Sequence, residues 1–185
     1  IMKIMEEVLL RNKENTEVTF DFIINEIKND IKKYVGLMAK GSNIVDEGHR
    51  VYAPVPLLSV MVDNCIEKGK DITEGGAKYN FSGVQGIGMP NLSDSLYAIK
   101  KFVFDEGRYS FKDMVEAMEE DFNTSSGEEI RLRLVNDEDK YGNDLDNVDD
   151  LSSEILRLYC KEVEKYDNPR GGIFIPGSYT VSEHI

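Results

Sequence analysis

Two β-prone stretches, residues 78–84 and 173–181, are held about ninety residues apart by sequence whose apolar pattern is helical. Glycines bracket both: Gly83, Gly86 and Gly88 follow the first, and Gly171 and Gly172 precede the second. A strand needs sheet neighbours, and the local sequence offers neither stretch one. The expected architecture is therefore α/β and helix-dominated, with strands completed by a larger parent.

The helical stretches are legible from spacing. Phe20, Ile23, Ile24, Ile27, Ile31, Val35 and Met38 recur at i, i+3, i+4 intervals, predicting a helix over 18–40 closed by Gly41-Ser42-Asn43, then a loop over 42–53. Pro54 and Pro56 open a second helix ending at Gly69, with Leu58, Met61, Val62, Cys65 and Ile66 as its apolar stripe. Asn91 or Ser93 caps a third, carrying Leu92, Leu96, Ile99 and Phe102 and stopped by Gly107. Ser110 with Asp113 reads as a capping box before Met114, Val115, Met118 and Phe122. A short helix near 128–135, an acidic loop over 136–147 and a long helix over 148–166 complete the pattern. No repeat or interdomain linker interrupts it.

Composition narrows the function classes. The 185 residues include 35 acidic and 22 basic side chains, a net charge of −13. Nucleic acid and anionic membranes reward clustered Lys and Arg, so neither is an expected partner. The apolar runs are too short to span a bilayer, and Lys3, Glu6 and Glu7 interrupt any signal-peptide pattern. Cys65 and Cys160 lie far apart, and without a secretory context they are expected as free thiols in the cytoplasm. A start at Ile1 rather than methionine is expected of a fragment.

Three motifs invite a chemical reading. Cys65 and Glu67 resemble a paired thiol and carboxylate, but at i, i+2 on a helix they face about 200° apart. The stripe instead makes Cys65 a core residue. Gly83-x-x-Gly86-x-Gly88 matches no phosphate-binding spacing and carries no Lys or Arg, so close packing or positive φ accounts for it better. The acidic run from Asp137 to Asp150 fails as an EF-hand: counted from Asp137, Tyr141 and Val148 occupy ligand positions. It is expected to be a solvated loop that helps cap the next helix. His49 and His184 have no metal-ligand spacing. From the residues alone, no catalytic, cofactor or metal site emerges.

Four stretches together resemble the pyruvate formate-lyase-like glycyl radical enzymes, most closely the dehydratase-type branch that includes glycerol and propanediol dehydratases and choline trimethylamine-lyase. They are "PVPLLSVMVDNCIEKGKD" (54–71), "GGAKYNFSGVQGIGMPNLSDSLYAIKKFVFDEG" (75–107), "KYGNDLDNVDDL" (140–151) and "YDNPRGGIFIPGSYTVSEH" (166–184). The resemblance implies a ten-stranded α/β barrel with two inner loops. One carries a thiyl-forming cysteine in a Gly-Cys-x-Glu setting, the other a radical glycine in an Arg-Val-x-Gly-Tyr setting. Both loops are expected outside this chain, making 1–185 a single internal segment that is not active by itself. Cys65 then matches a later Cys-Ile-Glu landmark, not the radical cysteine.

The resemblance further implies radical elimination on a small polyol or amine as the parent's chemistry. It also implies a glycyl radical installed by a radical-SAM activase, an S-adenosylmethionine-dependent iron–sulfur partner, and a homodimeric parent. Tyr179 corresponds to a position where dehydratase-type members place a tyrosine toward the substrate. Two alternatives stand beside this: a formate acetyltransferase segment acting on pyruvate and coenzyme A, and a stand-alone, non-catalytic binding module.

Overall fold

The computed structural model describes residues 2–178, and two compact units divide the chain. Unit 1 comprises 1–31 and 87–156; unit 2 comprises 32–86 and 157–185. The divisions fall within helix α2 (Phe20–Tyr52) and helix α8 (Asp146–Val163).

Unit 1 is helical. It contains α1 (Met2–Arg11), α5 (Met89–Ile99), α6 (Phe111–Glu119), α7 (Ser125–Asn136) and the adjoining parts of α2 and α8. The apolar spacing buries one face of α1, α2, α5, α6 and α8: Val8 and Leu9, Ile23 and Ile27, Leu92 and Leu96, Met114 and Val115, Val148 and Ile155. Ser110 caps α6, its Oγ accepting from the Asp113 backbone N–H, which is one half of the expected capping box. Thr124 does the same for α7 through Gly127, so that helix begins earlier than the expected 128. Helix α5 begins at Met89 rather than at an Asn91 or Ser93 cap. Gly88 takes the preceding position at φ +85°, proline occupies the first turn, and Ser93 is buried with its hydroxyl donating to Met89 O.

A π-helical turn, Lys100–Asp105, continues α5. It sends Lys101 toward the α7–α8 connection, where its Nζ lies 2.6 Å from Asp137 and 2.7 Å from Asp139. The two carboxylates raise the Lys101 pKa against the opposing effect of burial. The same connection is held by Asp94 and Asp149, which accept from the backbone N–H groups of Tyr141 and Gly142. The acidic run is thus partly internal to the fold rather than wholly solvated. Helix α8 is offset by two residues or more at each end from the expected 148–166.

Unit 2 corrects the sequence expectations most. Helix α2 does not stop at Gly41; it runs through the expected loop to Tyr52. A helical glycine costs only about 1 kcal/mol, whereas Pro54 removes a donor and restricts the residue before it, and the helix ends just ahead of it. The expected single helix after Pro54 is two short ones, α3 (Pro56–Ser59) and α4 (Cys65–Lys68), separated by Asn64 at φ 80°.

The strands do find a partner: each other. β1 (Ser82–Gln85) and β2 (Phe174–Gly177) form a parallel pair with Ser82 opposite Phe174 and Gln85 opposite Gly177. A parallel pair requires a long crossover, which the intervening helices provide. Both strands are shorter than expected, and residues 179–181 of the second lie outside the described residues.

Candidate functional site

The β1–β2 pair is held by a buried asparagine. Asn168 Nδ2 donates to Asn80 O and Ser82 Oγ, and its Oδ1 accepts from the backbone N–H groups of Arg170 and Gly172. Arg170 adds a guanidinium contact to Phe81 O and Ser82 Oγ and lies 3.2 Å from Asp46. Gly172 is obligatory here, because a Cβ would strike the carbonyl of Asn80. The turn before β2 is thereby fixed against the entry to β1.

One face of this pair is covered and the other is bare. Phe174 is buried, and Gly86 packs on the ring of Tyr159 in α8. Residues of the opposite parity, Gly83 and Gln85 on β1 and Ile175 on β2, are exposed, and Phe81 and Ile173 flank them, also exposed.

Cys65 is buried at 3% exposure, as the core assignment requires, but its expected neighbours are wrong. Leu58 and Met61 are exposed at 49% and 71%, because α3 and α4 are separate helices with no common stripe. Desolvation, reinforced by the charges of Asp71 and Glu67 and only partly offset by Lys68, pushes the Cys65 thiol above its ordinary value. It is a protonated, inward thiol, while Glu67 is exposed. The pair does not converge.

Sequence reasoning missed Asp71, which organises this region. Its carboxylate accepts from Val55 N, Ser59 Oγ, Thr73 N and Thr73 Oγ1, completing a capping box with Glu74. Burial opposes the charge, yet those hydrogen bonds hold Asp71 below the usual carboxylate range. The signal was present as Asp71-x-x-Glu74, the capping-box pattern.

The remaining candidates resolve simply. Gly86 and Gly88 serve close packing and positive φ respectively, as expected, while Gly83 has open space around it. Among the described residues no cluster of His, Cys, Asp or Glu has metal-holding geometry, and no helix is long and apolar enough to cross a membrane. Cys65 and Cys160 are both free thiols. In unit 1 a cavity of about 800 Å³ is lined chiefly by apolar side chains, among them Met5, Leu9 and Phe122, with Asp94, Glu119 and Lys140 also at its wall. Tyr179 lies outside the described residues.

Neither Cys65 nor the Arg50-Val51 pair matches the radical-centre settings of the family. Asn64 precedes Cys65 where the radical setting has glycine, and the single Arg-Val pair, Arg50-Val51, leads to Ala53 rather than to a glycine.

Comparison with known proteins accounts for the arrangement. The pyruvate formate lyase-like family model matches residues 5–185. The (2S)-3-sulfopropanediol dehydratase of Klebsiella oxytoca is 38% identical over 173 residues, covering 92% of this chain and 21% of that protein. The trans-4-hydroxy-L-proline dehydratase of Clostridioides difficile is 35% identical over 168 residues, covering 90% of this chain and 21% of its own. The glycerol-bound B12-independent glycerol dehydratase from Clostridium butyricum superposes with a TM-score of 0.84 at 40% identity, over 94% of this chain and 23% of that one. The chain spans about a fifth of the length of the curated relatives it matches. Its helix-dominated α/β fold is part of the ten-stranded α/β barrel of these enzymes. On the family match across nearly its whole length, and on the fold it shares, this chain belongs to the pyruvate formate lyase-like family of glycyl radical enzymes.

Proposed function

We propose that this chain is a structural segment of a glycyl radical dehydratase, contributing two barrel strands and their covering helices to a chamber for a small hydroxylated substrate. The observation that carries the reading is the agreement of two curated dehydratases at 35% identity or more, each over at least 90% of the chain. The exposed apolar surface of unit 2 supports it: Ile44, Leu57 and Met61 are each more than 70% exposed, a surface suited to packing against further polypeptide. The glycyl radical, installed by a radical-SAM activase, supplies hydrogen-atom abstraction. This chain's part is to hold walls that orient the substrate and exclude water. By the family resemblance, Tyr179 is the residue of this chain proposed to bind the substrate.

The test uses the full-length protein that carries this chain, activated anaerobically. Supplied with glycerol or 1,2-propanediol it forms the corresponding aldehyde; formation of acetyl-coenzyme A and formate from pyruvate, with no diol turnover, would overturn the reading. Tyr179→Phe lowers turnover and leaves the glycyl EPR doublet intact, whereas unchanged kinetics would reduce Tyr179 to packing. The isolated 185-residue chain, incubated with the activase, gives no doublet.

A further inference from the structure

Gln85 closes β1 directly opposite Gly177 at the end of β2. A Cβ at Gly177 would lie 2.3 Å from Gln85 Oε1 and 2.7 Å from Nε2, so the carboxamide lies across the glycine. Gln85 is exposed, and no described residue hydrogen-bonds its amide. Two N–H donors and one carbonyl acceptor are thus left open above the bare face of the strand pair. The rest of that face is apolar or small: Phe81, Gly83, Ile173 and Ile175.

This face lies away from the helices. Phe174 and Gly86 mark the opposite side, where Gly86 meets Tyr159 of α8. In an α/β barrel the helices form the outer ring, which leaves the bare face turned inward. Small-molecule sites pair apolar walls with a few placed polar groups, and Gln85 is the polar group that this wall presents. A neutral amide both donates to and accepts from a hydroxyl, but offers no charge to a carboxylate or an ammonium. Tyr179 follows Gly177 by two positions in the sequence.

We infer that the Gln85 carboxamide, laid over Gly177, is a specificity-determining ligand for a substrate hydroxyl and selects neutral polyols over quaternary amines. This rests on the dehydratase reading and adds a residue and a substrate class to it. Gln85 binds; no bond is made or broken at it.

The experiment replaces Gln85 with its apolar isostere in the full-length enzyme. Gln85→Met raises KM for glycerol or 1,2-propanediol roughly tenfold, with kcat within about twofold and the glycyl doublet retained. Calorimetric titration of the same diol into the unactivated enzyme shows the same roughly tenfold loss of affinity, and this arm decides even if the variant loads no radical. Wild-type affinity and wild-type KM in Gln85→Met overturn the inference while diol dehydration by the wild type preserves the dehydratase reading. Conversely, a wild-type enzyme that forms no aldehyde from any diol defeats the reading itself, whatever Gln85→Met does.

Discussion

Gly86 and Tyr159 are in direct contact: a Cβ at Gly86 would lie 2.8 Å from Cε1 of the tyrosine ring and 3.1 Å from Cζ. The contact seats the end of β1 on α8, with the ring 4% exposed. Because the ring is rigid and enclosed, Gly86→Ala costs about 1–3 kcal/mol through overpacking. Urea denaturation measures it as a lower midpoint at unchanged slope. Adding Tyr159→Leu recovers part of the loss, and strictly additive effects would disprove the contact.

Among the described residues, none hydrogen-bonds the buried Tyr159 hydroxyl. Tyr159→Phe therefore stabilises by about 1 kcal/mol, since an unsatisfied buried hydroxyl is a cost. Burial also pushes the phenol pKa up to about 12 from 10. The unfolded chain loses this proton first, so the contribution is complete below pH 10 and disappears as pH rises toward 12. Melting curves across that window fall more steeply for the wild type than for Tyr159→Phe. Parallel curves would exclude a buried phenol.

Asn168 joins four backbone or side-chain groups around the strand pair. Asn168→Ala leaves the Asn80 carbonyl and two backbone N–H groups without this partner, at a cost of roughly 2–3 kcal/mol. Hydrogen exchange reads the change locally, with protection lost at Gly172 and Ser82 before other sites. A variant with unchanged exchange there would show that the turn is held by Arg170 instead.

Lys101→Met removes the partner of Asp137, whose side chain is only 7% exposed, and of Asp139. The expected loss is roughly 1.5–3 kcal/mol, the range for charge-assisted hydrogen bonds. The folded-state pKa of Lys101 is raised, so this stabilisation is present below the unfolded lysine value and is lost as pH climbs above it. Guanidinium titrations at pH 7 and pH 11 check both points; equal wild-type stability at the two would count against the pair.

Cys65 combines burial with a raised thiol pKa. At pH 8 it resists iodoacetamide until denaturant is added, because the thiolate is the reacting species. Mass spectrometry of alkylated peptides resolves it from Cys160. Labelling of Cys65 at the rate of a free thiol would contradict the packing described above.

Much of unit 1 was legible in the sequence because its signals are local. Ser110 and its partner Asp113 are three residues apart, and the stripes of α2, α5 and α8 repeat within a few turns. The failures arise where two local signals compete or where none exists. Gly41 looked like a helix stop, but a helix tolerates one glycine more readily than it passes Pro54. Leu58 and Cys65 looked like one stripe because nothing marked Asn64 as the break. Asp71-x-x-Glu74 carries a local capping signal, but the reach of Asp71 to Val55 and Ser59 is a tertiary contact.

Helix identity and the family were set by residue types, spacing and motif order along the chain. Strand pairing was decided only in three dimensions, because Gln85 and Gly177 meet across a crossover that no short-range pattern encodes. The side of the sheet left open followed from that pairing, since it depends on which parity rests against Tyr159.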